Sequence, residues 1–208
     1  MNTKGFIGLG VMGFPMTGHI SKEYQTEVYN RSESKSADWV ARHSGTVAYS
    51  PEDLGSTCNE IFMCIGNDDD VREVISGKKG ILNSMQAGGI IVDHTTTSSE
   101  LANEMSKLCL KKHIYYIDAP VSGGQAGAEN GALTIMAGGE ETAYNKASIT
   151  MNCYTKFSKL MGPSGSGQLT KMVNQICIAG LVQGLAEGMN FSEKVGLETK
   201  DVIEVISK

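Results

Sequence analysis

Three short stretches of this 208-residue chain combine residue types and spacings that could do chemistry. In GSGQLTKMVNQ, Lys171 lies among Leu169, Met172 and Val173, and Asn174 follows three residues later. On a helix that spacing puts both side chains on one face, one turn from a start kept bare by Gly165 and Gly167. Two roles are open to such a lysine: it snorkels to solvent, or it is partly buried with a lowered pKa and acts as an acid or base. In DAPVSGG, Ser122, Gly123 and Gly124 follow an expected strand at Ile114–Asp118. Glycines there leave backbone N–H groups unobstructed, so the turn can hold a carboxylate or be a plain tight turn.

The third stretch, GFIGLGVMGFPM, places Gly8, Gly10 and Gly13 in a G-x-G-x-x-G pattern, with Leu9, Val11 and Met12 between the glycines. Phe6, Ile7 and Leu9 read as the end of a buried strand, and Val11, Met12, Met16 and Ile20 continue at helical spacing. At a strand-to-helix turn the pattern has a mechanical meaning. Gly8 permits the turn, Gly10 lets a pyrophosphate approach the backbone, Gly13 lets helix and strand pack closely, and the helix N-terminus faces the phosphates.

A dinucleotide's adenine ribose belongs about 20 residues further on, at the end of a second strand, Thr26–Asn30. An acidic residue there would favour NAD, whereas the chain offers Asn30, Arg31 and Ser32, which suit a 2′-phosphate. NADP is therefore the expected cofactor, with NAD possible; the alternative is an Arg31 that merely caps the next helix. The same crevice is expected to collect Cys64, Ile65 and Gly66 at the end of strand Glu60–Ile65, and Thr95 and Thr96 after strand Gly89–Asp93. The hydroxyls beyond His94 can also cap the helix Glu100–Lys112, and His94 itself reads more readily as a satisfied packing residue than as a ligand contact.

Composition excludes several classes. A net charge of −5 supplies no broad positive field for nucleic acid or an anionic membrane. No apolar run reaches the ~18 residues of a membrane span, and the cytosol is the default compartment. Five scattered cysteines without a C-x-x-C pair and four dispersed histidines argue for reduced thiols and against a metal site. Asp68, Asp69 and Asp70 sit at an expected helix start, where capping explains them.

Strands and helices alternate through further strands at Thr46–Tyr49, Leu133–Ala137 and Tyr154–Leu160, with a helix at Glu140–Met151. That rhythm predicts an α/β, Rossmann-like, doubly wound and mostly parallel sheet over residues 1–161. Residues 162–208 carry one long helical pattern up to about Val195 and begin another at Glu198–Ser207. Gly180, Gly184 and Gly188 recur at four-residue spacing in the long helix, which suggests close packing of another helix there, from this chain or from a second subunit.

GLGVMGFPM, DAPVSGG and GSGQLTKMVNQ, in that order, resemble the β-hydroxyacid dehydrogenases, the family of 3-hydroxyisobutyrate dehydrogenase and tartronate semialdehyde reductase. The resemblance implies hydride transfer between NAD(P) and a small β-hydroxy acid or its semialdehyde. It implies that Ser122, Gly123 and Gly124 bind the substrate carboxylate, that Lys171 is the general acid and base, and that Asn174, with Gln175 as its rival, orients the substrate. It also implies a longer helical domain than the chain carries, and a homo-oligomer where that domain is complete. A dinucleotide-binding module without catalysis is the alternative; imine reduction on the same fold would call for a different proton donor at position 171.

Overall fold

The computed structural model describes residues 3–208, and its strands join in one nine-stranded sheet. In chain order the elements open with β1 (Lys4–Ile7), α1 (Gly13–Ile20), β2 (Thr26–Tyr29), α2 (Glu33–Arg42), β3 (Thr46–Val47) and α3 (Pro51–Thr57). There follow β4 (Glu60–Met63), α4 (Asp68–Ser76), β5 (Ile90–Asp93), α5 (Ser99–Leu110), β6 (Tyr115–Asp118), β7 (Val121–Ser122) and α6 (Gly124–Glu129). The remainder is β8 (Leu133–Gly138), α7 (Glu141–Met151), β9 (Thr155–Gly162), α8 (Ser166–Lys194) and α9 (Thr199–Ile206).

The sheet order is β3-β2-β1-β4-β5-β6-β8-β7, with β9 beside β8. Every pair is parallel except β6–β8 and β7–β8. The chain winds outward from β1 to β3, returns, and winds the other way from β4, so the order reverses between β1 and β4. In open α/β sheets ligands bind at the carboxyl ends beside such a reversal.

The apolar runs of the central strands follow from burial on both faces. Alternate residues supply opposite faces: Phe6, Phe62, Val92 and Ile117 join one core with Met16, Ile20 and Trp39. Ile7, Ile61, Ile91 and Tyr116 join the other with Leu54, Val71, Leu101 and Met105. Caps fix several helix starts. Ser50 accepts from the Asp53 amide, Asn67 from Asp69 and Asp70, Ser98 from Leu101 and Glu140 from Ala143. The aspartates after Asn67 are thus first-turn residues, as expected, and no group that could hold a metal occurs among the described residues.

The sequence-based expectations differ from the structure in places. Helix α1 begins at Gly13, because Val11 and Met12 form the turn that exposes the helix start. β3 and β4 stop two residues early, at Val47 and Met63. Gly124–Glu129 closes into α6, with Ala128 fully buried and His19 Nε2 bonding to the Ala128 and Glu129 carbonyls. The free thiols Cys58 and Cys109 are buried, while Cys177 is exposed.

Two compact units divide the chain, one ending at Lys171 and the other running from Met172 to Lys208. The second consists of the rest of α8 and of α9, with Ser192 Oγ bonded to Thr199 Oγ1 at 3.0 Å and Gly196 at φ 77° in the turn between them. No described helix is long and apolar enough to cross a membrane.

Candidate active site

Gly8 has φ +96°, and a Cβ there would strike the Cys64 carbonyl; one at Gly13 would strike the Gly8 carbonyl. Gly10 differs, since a Cβ would meet nothing within 4 Å. Its glycine is not needed for packing, and the bare backbone leaves room for a ligand. The N-cap position of α1, Met12, gives no side-chain cap, and the first turn carries no acidic residue. The positive end of the dipole is therefore left to an incoming anion. Asn30 Oδ1 accepts the Leu9 amide at 2.9 Å and so braces the glycine turn, and its Nδ2 donates to the Ser32 carbonyl at 3.1 Å.

A cavity of about 720 Å³ lies beside this turn, lined by Gly8, Gly10, Asn30, Arg31, Ser32, Cys64, Ile65 and Gly66. Eight residues expected at a cofactor thus line one cavity. Leu9 and Gly13 lie buried beneath the turn, and Val11 projects outward, 62% exposed. Arg31 is exposed and pairs with Asp70 of α4 at 3.2 Å. Sequence reading missed three further cations on the cavity wall, Lys35, Lys78 and Lys79. Lys35 had a signal: it stands in the first turn of the helix that follows Arg31 and Ser32. Burial pushes the Cys64 thiol up to about 12, so it is inert.

The threonines after β5, expected in the same crevice, do not line this cavity. Thr95 is buried, its Oγ1 accepting the Ile65 amide at 3.0 Å and its own amide donating to Asp93 Oδ1 at 2.8 Å; Thr96 is exposed. His94 is a packing residue. Its Nδ1–H donates to the Ala119 carbonyl at 2.7 Å, so Nε2 is left to accept from the Tyr154 hydroxyl at 2.9 Å. Burial holds its pKa down at about 4, which keeps the ring neutral.

Lys171 closes the first unit on the opposite side of the sequence. Its Nζ donates to the Val121 carbonyl at 2.8 Å, one residue before Ser122. Partial burial lowers its pKa from the ordinary lysine value, and the bond to Val121 holds its head beside the Ser122 turn. Gly123 at φ +129° and Gly124 at φ +60° turn the chain into α6, a backbone that a side chain would strain, and both are exposed. The start of α8 rests on Asp118, whose two carboxylate oxygens accept the Gly165 amide at 2.7 Å and the Gln168 amide at 3.0 Å. Asn174 belongs to the second unit, where its Nδ2 donates to Gln175 Oε1 at 3.0 Å.

The bare glycine turn, the unblocked helix start, the cavity and its cations fit a dinucleotide. Comparison with known proteins agrees: residues 3–165 match the NAD binding domain of 6-phosphogluconate dehydrogenase, and residues 165–208 the NAD-binding domain of NADP-dependent 3-hydroxyisobutyrate dehydrogenase. An oxidoreductase of Shewanella frigidimarina is 52% identical over 98% of this chain and 70% of its own length. The chain belongs to the β-hydroxyacid dehydrogenase family. It is thereby an NAD(P)-dependent oxidoreductase of the hydroxyacid dehydrogenase type. A probable 3-hydroxyisobutyrate dehydrogenase-like protein of Arabidopsis thaliana is 42% identical over 99% of this chain and 62% of its own. Among solved structures, a Mycobacterium tuberculosis 3-hydroxyisobutyrate dehydrogenase with L-serine superimposes at TM-score 0.91, 26% identical, covering 100% of this chain and 70% of the mycobacterial one.

Proposed function

We propose that this protein interconverts a small β-hydroxy acid and its semialdehyde with NADP as preferred cofactor, and that Lys171 moves the proton. The observation that carries the proposal is the juxtaposition of a half-buried ammonium with the Ser122-Gly123-Gly124 turn, through the 2.8 Å bond to the Val121 carbonyl. A bound nicotinamide supplies or accepts the hydride. Lys171 gives a proton to the carbonyl oxygen in reduction and takes it back in oxidation, and its lowered pKa eases the second direction. One of its three N–H donors is spent on Val121, which fixes the head and leaves two for substrate. The Ser122 hydroxyl and the exposed Gly123 and Gly124 amides offer donors to a carboxylate, and Asn174 orients the substrate in this scheme.

NADP preference is supported by Arg31, Ser32, Lys35, Lys78 and Lys79 on the cavity wall and by the NADP-dependent family that residues 165–208 match. Residues 162–208 are proposed to begin the helical domain that covers the substrate and mediates self-association. Exposed Leu181, Val182 and Leu185 support this, as do Gly180, Gly184 and Gly188, where an added Cβ would meet nothing within 4 Å.

The test is nicotinamide absorbance over time with NADPH and NADH in parallel, against succinic, tartronate and methylmalonate semialdehydes. NADPH consumption with one of them is expected. NADPH binding without consumption of any would point instead to a binding module.

A further inference from the structure

We propose that Gln168 is a positioning residue for proton transfer: its carboxamide locks the turn of α8 that carries Lys171 to the Thr95–Thr97 loop beside the cofactor cavity. The inference rests on the Lys171 reading above. Gln168 is 1% exposed, and both ends of its side chain are engaged. Nε2 donates to the Thr95 carbonyl at 2.8 Å and Oε1 accepts the Thr97 amide at 3.1 Å. Those partners are more than 70 residues away in sequence, at separations of 73 and 71. Thr95 in turn holds the amide of Ile65, a cavity-wall residue, and is itself held by Asp93.

On its backbone side Gln168 donates to Asp118, the last residue of β6, and Lys171 sits one turn later with its head on Val121. The first turn of α8 is thus fixed at once to the Thr95–Thr97 loop and to the end of β6. A carboxamide is the one uncharged side chain of this length that offers a donor and an acceptor side by side, matching a C=O and an N–H two residues apart. Buried and fully paired, such a group specifies one arrangement, because any slip of the helix against the loop leaves polar atoms unsatisfied. The distance between a proton donor on α8 and a reacting carbon held from the β5 side is set by this bond pair, and misplacement of about 1 Å can cost on the order of 100-fold in rate.

The test compares the wild-type chain with Gln168→Met, which keeps length and apolar bulk, Gln168→Glu, which keeps an acceptor for the Thr97 amide and donates to the Thr95 carbonyl only when protonated, and Lys171→Ala. Three quantities are read: kcat with NADPH and succinic semialdehyde, NADPH affinity, and the titration of Lys171 in the protein alone by NMR of lysine Cε, assigned from the signal that Lys171→Ala lacks. Expected are a kcat loss of at least about tenfold in Gln168→Met and a smaller one in Gln168→Glu. NADPH affinity should stay within about twofold, and the Lys171 titration should move up toward the ordinary lysine value as its turn loosens. A folded Gln168→Met with wild-type kcat and an unmoved titration overturns the inference and leaves the lysine reading standing. Wild-type kcat in Lys171→Ala overturns the lysine reading, and this inference with it. If the wild-type chain turns over none of succinic, tartronate and methylmalonate semialdehydes, the proton-transfer reading falls and this inference with it.

Discussion

At the residue scale, two side chains carry most of the proposed chemistry, and each admits a clean test. Replacing Lys171 by Ala removes the proton donor while leaving the cavity wall untouched, so kcat should fall by about 10²- to 10⁴-fold with NADPH affinity unchanged, as read by kinetics and by fluorescence titration. Arg31 is exposed and shared with Asp70, so the contact proposed for it with a 2′-phosphate lies at the cavity rim, where Lys35, Lys78 and Lys79 add positive charge. Arg31→Asp exchanges an attractive charge for a repulsive one. The ratio of kcat/KM for NADPH over NADH should drop by about 10- to 100-fold, and an unchanged ratio would remove Arg31 from the ribose site.

At the element scale, the strand-turn-helix unit β1–α1 separates folding from binding. Gly10→Ala adds a methyl to open space at a φ any residue tolerates, so thermal unfolding should show neutral or slightly higher stability, by at most about 1 kcal/mol. The same methyl occupies the approach to the helix N-terminus, so NADPH affinity should weaken by at least about tenfold. Gly13→Ala should do the reverse in order of severity. Its Cβ would overlap the Gly8 carbonyl and crowd Phe6 at 2.8 Å, costing about 3 kcal/mol or more in a denaturant titration.

At the scale of the whole molecule, buried titratable groups tie stability to pH in opposing directions. His94 protonates near 6.5 when unfolded and at about 4 in the fold, because burial disfavours the charged ring. The fold therefore binds fewer protons between those values, and the stability this lends is complete above pH 6.5 and lost as pH falls toward 4. Asp93 and Asp118 run the other way. Burial raises each from 3.8 to about 6, against hydrogen bonds from Thr95 and Tyr116 in the first case and from backbone amides in the second, so their contribution is lost as pH rises through 6. Subtracting the Tm of His94→Gln from that of wild type isolates the histidine. The difference should grow between pH 4 and 6.5, by the equivalent of ~3 kcal/mol, and level off above.

Sequence alone determined the local features here. Three glycines at fixed offsets between a buried strand and a helical repeat specify a phosphate-binding turn, because backbone freedom and close approach are properties of single positions. Likewise, continuous apolar runs alternating with capped helices specify a doubly wound sheet. The tertiary structure decided everything that depends on partners distant in the chain. It turned His94 into a packing residue through Ala119 and Tyr154, gave Asn30 the task of bracing the turn it was expected to serve beside, and added Lys35, Lys78 and Lys79 to the cavity. It also joined Gln168 to a loop more than 70 residues away, at separations of 71 and 73. A side chain's type limits which bonds it can make, but only the fold chooses among them, since burial removes water as the alternative partner and leaves one satisfied arrangement.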